Sequence, residues 1–499
     1  MELEFQNMNY GILRRVIHET RTQEESIDLI VPDSYPDAAR IVKCCGSVIL
    51  RSKECRDGSM TLTGGVRTAV LYAGEEETTA RAMDAYVPFS ARFDNSAFSE
   101  QTQIICRCSV SSAEARIVNS RKIGIKLTLL LEVDGYEQQM QTICTIENPP
   151  ECLQMQRQTY AMLQPAQAVE KSFSAAEEIV LPNGITASRV CCYDTHAKVT
   201  DSKMAGNKAV FRGTICLRAL VMDNEQRLHS VEQEIPFSQY CEMGEDYDEQ
   251  ELQVTMCVTG AELEPDSASQ GKRLLMNVQL LAQCLVSTVR QVDVCEDAYA
   301  VKAVFQPQWS EITFEGRLDR QTLRSAVQAS VAAEALEVIS ASASLGTPRC
   351  ERAGGCVSIC VPAVMDVLYL DREGQMQMAQ VKTQAVSETA LADDAVCIVQ
   401  ADCCRVTALM GAGQIELRCE VEMDVQSFAR QSLRCLGGGT LEPMQTKNDM
   451  PSVIVRRCRS RQSLWDLAKQ YGTTAAAIRA ANHIVGEQTQ TDSMLLIPM

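Results

Sequence analysis

Gly213-Thr214-Ile215-Cys216-Leu217-Arg218-Ala219-Leu220-Val221-Met222-Asp223 is an apolar run that ends at a polar turn, Asn224–Gln226. A short run of this kind, bounded by glycine and aspartate, reads as a strand entering a hairpin. The same plan stands earlier as Gly64-Gly65-Val66-Arg67-Thr68-Ala69-Val70-Leu71-Tyr72-Ala73-Gly74, before Glu75–Glu77. It returns as Val361-Pro362-Ala363-Val364-Met365-Asp366-Val367-Leu368-Tyr369-Leu370-Asp371, before Arg372–Gln375. The copies are about 150 residues apart. That period is too long for a solenoid repeat and fits tandem domains.

Further landmarks follow the turn in each copy. Val87-Pro88-Phe89-Ser90 matches Ile235-Pro236-Phe237-Ser238, and the third copy lacks this proline. Proline has no N–H, so both should lie on a sheet edge or at a strand end. A pair of strands then closes each copy: Ile104–Val110 with Ile123–Val133, Leu252–Val258 with Leu274–Val286, and Cys397–Cys404 with Ile415–Val425. Alternation is cleanest in Ile415-Glu416-Leu417-Arg418-Cys419-Glu420-Val421, which sets apolar and charged residues on opposite faces. Leu29-Ile30-Val31-Pro32-Asp33 resembles Val180-Leu181-Pro182-Asn183, with Cys44/Cys45 and Cys191/Cys192 at similar offsets after them.

The expected fold is therefore mainly β, with three tandem β-rich, sandwich- or barrel-like units at 22–140, 170–295 and 325–436. A lead segment occupies 1–21. Residues 141–169 and 296–324, spanning most of Pro149–Gln167 and Cys295–Gln321, read as linkers or short helices. Gly437-Gly438-Gly439, with Pro443 and Pro451, marks a flexible joint over 437–452.

The chain has 499 residues, 45% apolar and 22% charged, which is the composition of packed domains rather than of disorder. Its net charge of −18 is uneven. Residues 453–499 hold Arg456, Arg457, Arg459, Arg461, Lys469 and Arg479 against Asp466, Glu487 and Asp492, so this segment is basic and the remainder strongly acidic. An acidic body argues against nucleic acid as a partner. The longest strongly apolar run, Leu127–Leu131, is too short for membrane insertion. No apolar leader core follows Arg14 and Arg15, so a cytosolic setting is expected. In a reducing compartment the 23 cysteines stay as thiols. They read as small apolar strand residues; oxidative crosslinking and a metal site are the alternatives, although no C-x-x-C is present.

The tail has another grammar. Val453–Cys458 reads as a strand. Ser463 can cap a helix that places Leu464, Trp465, Leu467, Ala468 and Tyr471 on one face, and Gly472 stops it. Thr473 or Thr474 caps a second helix with Ala477, Ile478 and Ala481 inward and Asn482 at its end. Met494-Leu495-Leu496-Ile497-Pro498 closes as a strand, giving a small βααβ module over 453–499. Its core is expected to be Leu464, Trp465, Leu467, Ala468, Tyr471, Ile478, Leu495 and Ile497.

Ser463-Leu464-Trp465-Asp466-Leu467-Ala468-Lys469-Gln470-Tyr471-Gly472-Thr473-Thr474, followed by Ile478, Asn482 and Leu495-x-Ile497-Pro498, closely resembles the LysM family. That resemblance implies binding of N-acetylglucosamine polymers such as peptidoglycan, in a groove between the loop leading into the first helix and the loop before the last strand. This copy departs from the pattern at both loops. Arg461-Gln462-Ser463 stands where the family has Gly-Asp-Thr, and Asp492 stands where it has glycine. Glycine lets backbone approach a ligand closely, so these exchanges favour a protein-docking surface over a sugar groove. The expected contact residues are Arg457, Arg459, Arg461, Gln462, Ser463, Asn482 and Asp492.

The acidic units resemble SPOCS domains of spore-coat-associated proteins in endospore-forming Firmicutes. SPOCS units followed by one C-terminal LysM resemble the SipL type of coat-morphogenesis protein. The resemblance implies a scaffold at the forespore surface in the mother-cell cytosol, with a SpoIVA-like coat morphogenetic ATPase as partner. Walker A, G-x-S-x-G, H-E-x-x-H and dinucleotide fingerprints are absent, so no enzyme, cofactor or metal site is expected. The acidic run Glu242, Glu245, Asp246, Asp248, Glu249, Glu251 lacks calcium-loop spacing and reads as a solvated loop.

Overall fold

The computed structural model describes residues 3–75, 79–182, 184–244, 250–392, 395–444, 451–458, 461–489 and 491–499. Glu245, Asp246, Asp248, Glu249 and Arg459 lie outside these residues.

Unit 1 consists of β1 (Gln6–Ile30), β2 (Arg40–Arg56), β3 (Ser59–Ala73), β4 (Arg81–Asp94), β5 (Gln103–Asn119) and β6 (Lys122–Thr145). They form two antiparallel sheets, β2-β3-β4 and β1-β6-β5. Unit 2 repeats this plan with β7 (Leu153–Val180), β8 (Ala187–Ala205), β9 (Lys208–Asp223), β10 (Leu228–Glu242), β11 (Gln250–Pro265) and β12 (Arg273–Ala300). Its sheets are β8-β9-β10 and β7-β12-β11. Unit 3 has β13 (Ala303–Ala332), β14 (Ala335–Leu345), β15 (Arg349–Ala353), β16 (Cys356–Asp371), β17 (Met376–Ala390), β18 (Ala395–Met410) and β19 (Gln414–Pro443). Here β14 and β15 flank one side of β16, β17 flanks the other, and β13-β19-β18 is the second sheet. The tail is β20 (Val453–Cys458), α1 (Leu464–Tyr471), α2 (Ala475–Asn482) and β21 (Ser493–Pro498).

The two sheets of each unit face one another as a sandwich. Alternate residues of β6, from Ile123 through Ile125, Leu127, Leu129 and Leu131 to Val133, are buried against Met60, Leu62, Val66 and Val70 of β3. Leu274, Met276, Val278 and Leu280 meet Ile215, Leu217 and Val221 in unit 2. In unit 3 Ile415, Leu417, Cys419 and Val421 meet Ile359, Val361 and Met365. Strict alternation on the central strand is thus what fixes the packed face.

The repeated landmarks have a steric origin. Phe89 lies opposite Gly64 in the β3–β4 register, and Phe237 lies opposite Gly213 in β9–β10. A Cβ on Gly64 would stand 2.7 Å from the Phe89 ring and 2.5 Å from the Ile49 carbonyl oxygen. On Gly213 it would meet the Lys198 carbonyl oxygen at 2.2 Å. In unit 3 the sizes are exchanged, with Val361 opposite Ala385. Room for Val361 exists because the neighbouring strand is interrupted there. Leu345 pairs Ala363 at the end of β14, and Arg349 pairs Cys360 at the start of β15. Pro88 and Pro236 lie on the edge strands β4 and β10, where a missing N–H costs no ladder bond.

The segments expected as linkers are largely strand. Residues 141–145 end β6, 153–169 begin β7, 296–300 end β12 and 303–324 begin β13. The lead segment enters β1 at Gln6, and the glycine triplet lies within β19, where Gly438 and Gly439 pair with Gln308 and Pro307. Sequence periodicity missed these stretches because each is half of a two-stranded ribbon reaching beyond its sandwich. The ribbons cover one another: Ile143, Val292, Val294, Ile312 and Cys435 form one cluster drawn from all three units, and Ile146, Leu153, Cys295, Ala298 and Leu436 form a second.

The units close into a ring. Among the bulges of its second strand each has one at an equivalent place: between Ile41 and Lys43, between Val190 and Cys192, and between Val338 and Ser340. Registered on these bulges, Val42, Cys191 and Ile339 are equivalent, as are Leu71, Leu220 and Leu368. All six meet in one central cluster, which we call the hub. Each unit is also tied to the next. The amide of buried Gln283 donates to the Cys106 carbonyl at 2.8 Å and accepts from the Cys106 N–H at 3.0 Å, pairing unit 2 with unit 1 like a strand. Lys198 pairs with Glu422 at 2.7 Å between units 2 and 3, and Arg107 pairs with Asp402 between units 1 and 3.

Replacing Gly213 by alanine should destabilise unit 2 by about 2–3 kcal/mol, in the range of overpacked cores, and so lower its urea midpoint. Phe237→Ala should not rescue it, because the closest clash is with backbone. Parallel denaturation of the single and double variants checks this.

Candidate functional site

The tail module places its strands in register from Val453 opposite Pro498 to Cys458 opposite Ser493. Alternation turns Ile454, Cys458, Leu495 and Ile497 toward the helices, where Leu464, Leu467, Ala468 and Ile478 are buried with them. Trp465 and Tyr471 pack at the margin of this core, half-buried. α1 ends on Gly472 at φ +67°, and Thr474 Oγ1 caps α2 by accepting from the Ala477 N–H at 3.0 Å. Ser463 stands at the start of α1 in extended conformation without a side-chain cap bond.

The two loops that would flank a sugar groove are tied to each other. Leu464 N–H donates to the Glu487 carbonyl, and Thr489 N–H donates to the Gln462 carbonyl, both at 2.9 Å. Gln462 N–H donates to Thr489 Oγ1 at 3.0 Å, and Ser463 bridges Gln488. Asp492, standing where the family pattern has glycine, has φ +56°, a left-handed conformation that aspartate tolerates better than most residues. Its carboxylate lies 3.4 Å from Arg457.

Of the expected contact residues, Arg457, Arg461 and Asp492 are exposed. Gln462 and Ser463 are half-buried in the tied loops. Asn482 is turned inward to a structural task. Its amide accepts from the Leu496 N–H at 2.7 Å and donates to the carbonyls of Leu496 at 2.6 Å and Ile478 at 2.8 Å. It therefore pairs with β21 much as a third strand would.

Two features were not expected from the sequence. The first is the outer face of the β20–β21 sheet, which exposes Val453, Val455, Met494 and Leu496 at 43–63%. Consecutive apolar residues in Val453-Ile454-Val455 and Met494-Leu495-Leu496-Ile497 carry that signal, since a strand covered on one side needs only alternate ones. The second is an anchor to unit 2. Asp297 accepts from Trp465 Nε1 at 2.8 Å and is paired with Lys469 at 2.6 Å. Tyr299 donates its hydroxyl to the Thr473 carbonyl at 2.9 Å and meets Trp465 edge-on, with ring centroids 4.8 Å apart. Burial alone would raise the Asp297 carboxyl, but the hydrogen bonds from Lys469 and Trp465 hold it below the usual carboxylate range.

A cleft of about 530 Å³ between units 2 and 3 is lined by Ser202, Lys203, Gln250, Glu251 and Arg320, among others. It is open, and Arg320 there is paired with Asp424 at 2.9 Å and Glu251 at 3.6 Å. Among the described residues no group of three or more metal-ligating side chains converges, and no helix is long and apolar enough to cross a membrane.

Comparison with protein-family models matches residues 186–264 to the SipL, SPOCS domain and residues 459–498 to the LysM domain. No curated protein and no solved structure matches the chain. The chain thus carries a SipL-type SPOCS domain and a C-terminal LysM domain, both binding rather than catalytic modules. The SPOCS match covers β8 through β11, strands that unit 1 reproduces in topology and unit 3 reproduces with the first of them broken in two.

Because the folded Asp297 carboxyl is depressed, its contribution is full above the usual carboxylate range and is lost as pH falls through its folded value. Asp297→Ala should remove it at neutral pH, weakening the anchor by about 2 kcal/mol for lost charge-assisted hydrogen bonds. In a Trp309→Phe background, which leaves Trp465 as the sole fluorophore of its kind, emission should shift to the red both on that substitution and on acidification of the parent.

Proposed function

We propose that this chain is a non-enzymatic adaptor of spore envelope assembly, in which the three-unit body is the scaffold and the LysM module docks a coat basement-layer protein. All three units are read as SPOCS-like, the setting is the mother-cell side of the forespore surface, and the partner is a SpoIVA-like morphogenetic ATPase. The combination of the two matched modules supports the sporulation setting.

The observation that carries protein docking is the outer face of β20–β21. Four exposed apolar side chains lie there with Arg457 opposite Met494, on the side of the module away from its helices. Exposed apolar patches fringed by charge are a feature of protein contacts. The anchor at Asp297 holds α1 against unit 2 and leaves this face open. A basic module also suits an acidic partner segment.

The second reading is peptidoglycan binding, favoured by the LysM match itself. The two are separated by presenting the intact chain to purified cell wall and to the SpoIVA-like protein side by side. Val455→Asp with Leu496→Asp should weaken the protein complex at least tenfold, the scale of a buried contact centre, and leave the circular dichroism unchanged. Arg457→Glu with Arg461→Glu should slow association and reduce its salt dependence. Retention of the intact chain on cell wall, with no protein complex formed, would establish the second reading in place of the first.

A further inference from the structure

The adjacent cysteine pairs of units 1 and 2 do not occupy equivalent positions. Registered on the strand bulges, Cys191 matches Val42 and Cys192 matches Lys43, so Cys44/Cys45 sit two places further along. The displacement has a consequence at the hub. Cys44 turns into the sandwich of unit 1, while Cys45 turns out to the hub, where it meets Cys192 of unit 2. Their sulfurs are 3.0 Å apart.

We propose that Cys45 and Cys192 are a modification site, joined by hydrogen peroxide into a disulfide that locks unit 1 to unit 2. Closing the sulfurs to a bond length of about 2.05 Å needs a movement of roughly 1 Å. The surroundings favour reaction at one of the two. The thiol of Cys192 beside it, working against burial and aided by the Lys43 ammonium, holds Cys45 below the usual thiol range. The same contact and burial push Cys192 up. Lys43 is itself buried, held 3.2 Å from Ser342 Oγ of unit 3, so its charge stays close to the pair.

Cys45 is the half-buried member and the one whose thiol is lowered, so it is the attacking group. Its sulfur takes one peroxide oxygen as the O–O bond breaks, giving a sulfenic acid and hydroxide, which leaves as water. The Cys192 sulfur then attacks the sulfenic sulfur. The S–O bond breaks, and the Cys192 proton leaves with the hydroxyl as a second water. Two thiols have lost two electrons and one peroxide has gained them. Cys403 and Cys419 also approach, at 3.6 Å, but they lie on paired strands of one sheet and would tie no two units together.

The test is a peptide map of the full chain. The reduced protein is treated with peroxide until methionine sulfoxide is detectable, its free thiols are alkylated, and it is digested with trypsin without reduction. Cys44–Arg51 should appear joined to Val190–Lys198, lighter by two hydrogens than the sum of the two. The link should persist in Cys44→Ser and Cys191→Ser and vanish in Cys45→Ser. The oxidised parent should unfold at a higher temperature than the reduced one, since the bond closes a loop across 147 residues. Recovery of Cys45 and Cys192 as alkylated thiols beside oxidised methionine would overturn the proposal, and so would a link that survives Cys45→Ser. The parent map needs no variant to fold.

Discussion

Each unit is held shut by the antiparallel pairing of its first strand with its last. β1 lies along β6 from Gln6 opposite Thr145 to Ile30 opposite Lys122, and β7–β12 and β13–β19 do the same. That pairing places the chain's entry to and exit from a unit at one end. It makes the last strand the centre of its sheet, and so the most deeply buried. It also produces ribbons longer than the sandwich, which have nowhere to hide an apolar face except against each other. The ribbons and the hub then fix the three units at two levels, by burial at the ends and by equivalent positions in the middle.

Charge is used differently from apolar surface in this ring. The interfaces between units are pinned by buried or half-buried polar pairs that have few alternatives: Gln283 on the Cys106 backbone, Lys198 on Glu422, Arg107 on Asp402. A mispaired unit would leave buried Gln283 without its partners, where the penalty exceeds what a correct pair contributes, and would separate the two half-buried ion pairs. The apolar hub supplies adhesion and the polar pairs supply register. The LysM module obeys the same division. Tyr299 and Trp465 give contact area, and Asp297 gives a single orientation.

For the proposed docking surface, anchoring matters as much as composition. A module hung from a glycine-rich joint could present any face. Here the glycines are in a strand, α1 is turned to unit 2, and the apolar face of β20–β21 is turned outward. The exchanges at the sugar-side loops keep the fold while altering its chemistry. Asp492 retains the left-handed backbone a glycine would adopt, yet adds a carboxylate beside Arg457.

The sequence by itself determined the elements. Alternation in Ile415–Val425, the helix faces around Leu464 and Ile478, and the closing Leu495-x-Ile497-Pro498 are local patterns, and local sterics and burial are enough to specify them. What only the tertiary structure decided are relations between residues far apart in the chain. That Pro149–Gln167 and Cys295–Gln321 run largely as strand depended on a partner strand more than a hundred residues away. That Asn482 bonds the backbone of β21 depended on where that strand lies. That Trp465 meets Asp297, and Cys45 meets Cys192, depended on how whole units dock. No periodicity encodes such contacts, because each side is shaped by its own unit and the match exists only when the ring closes.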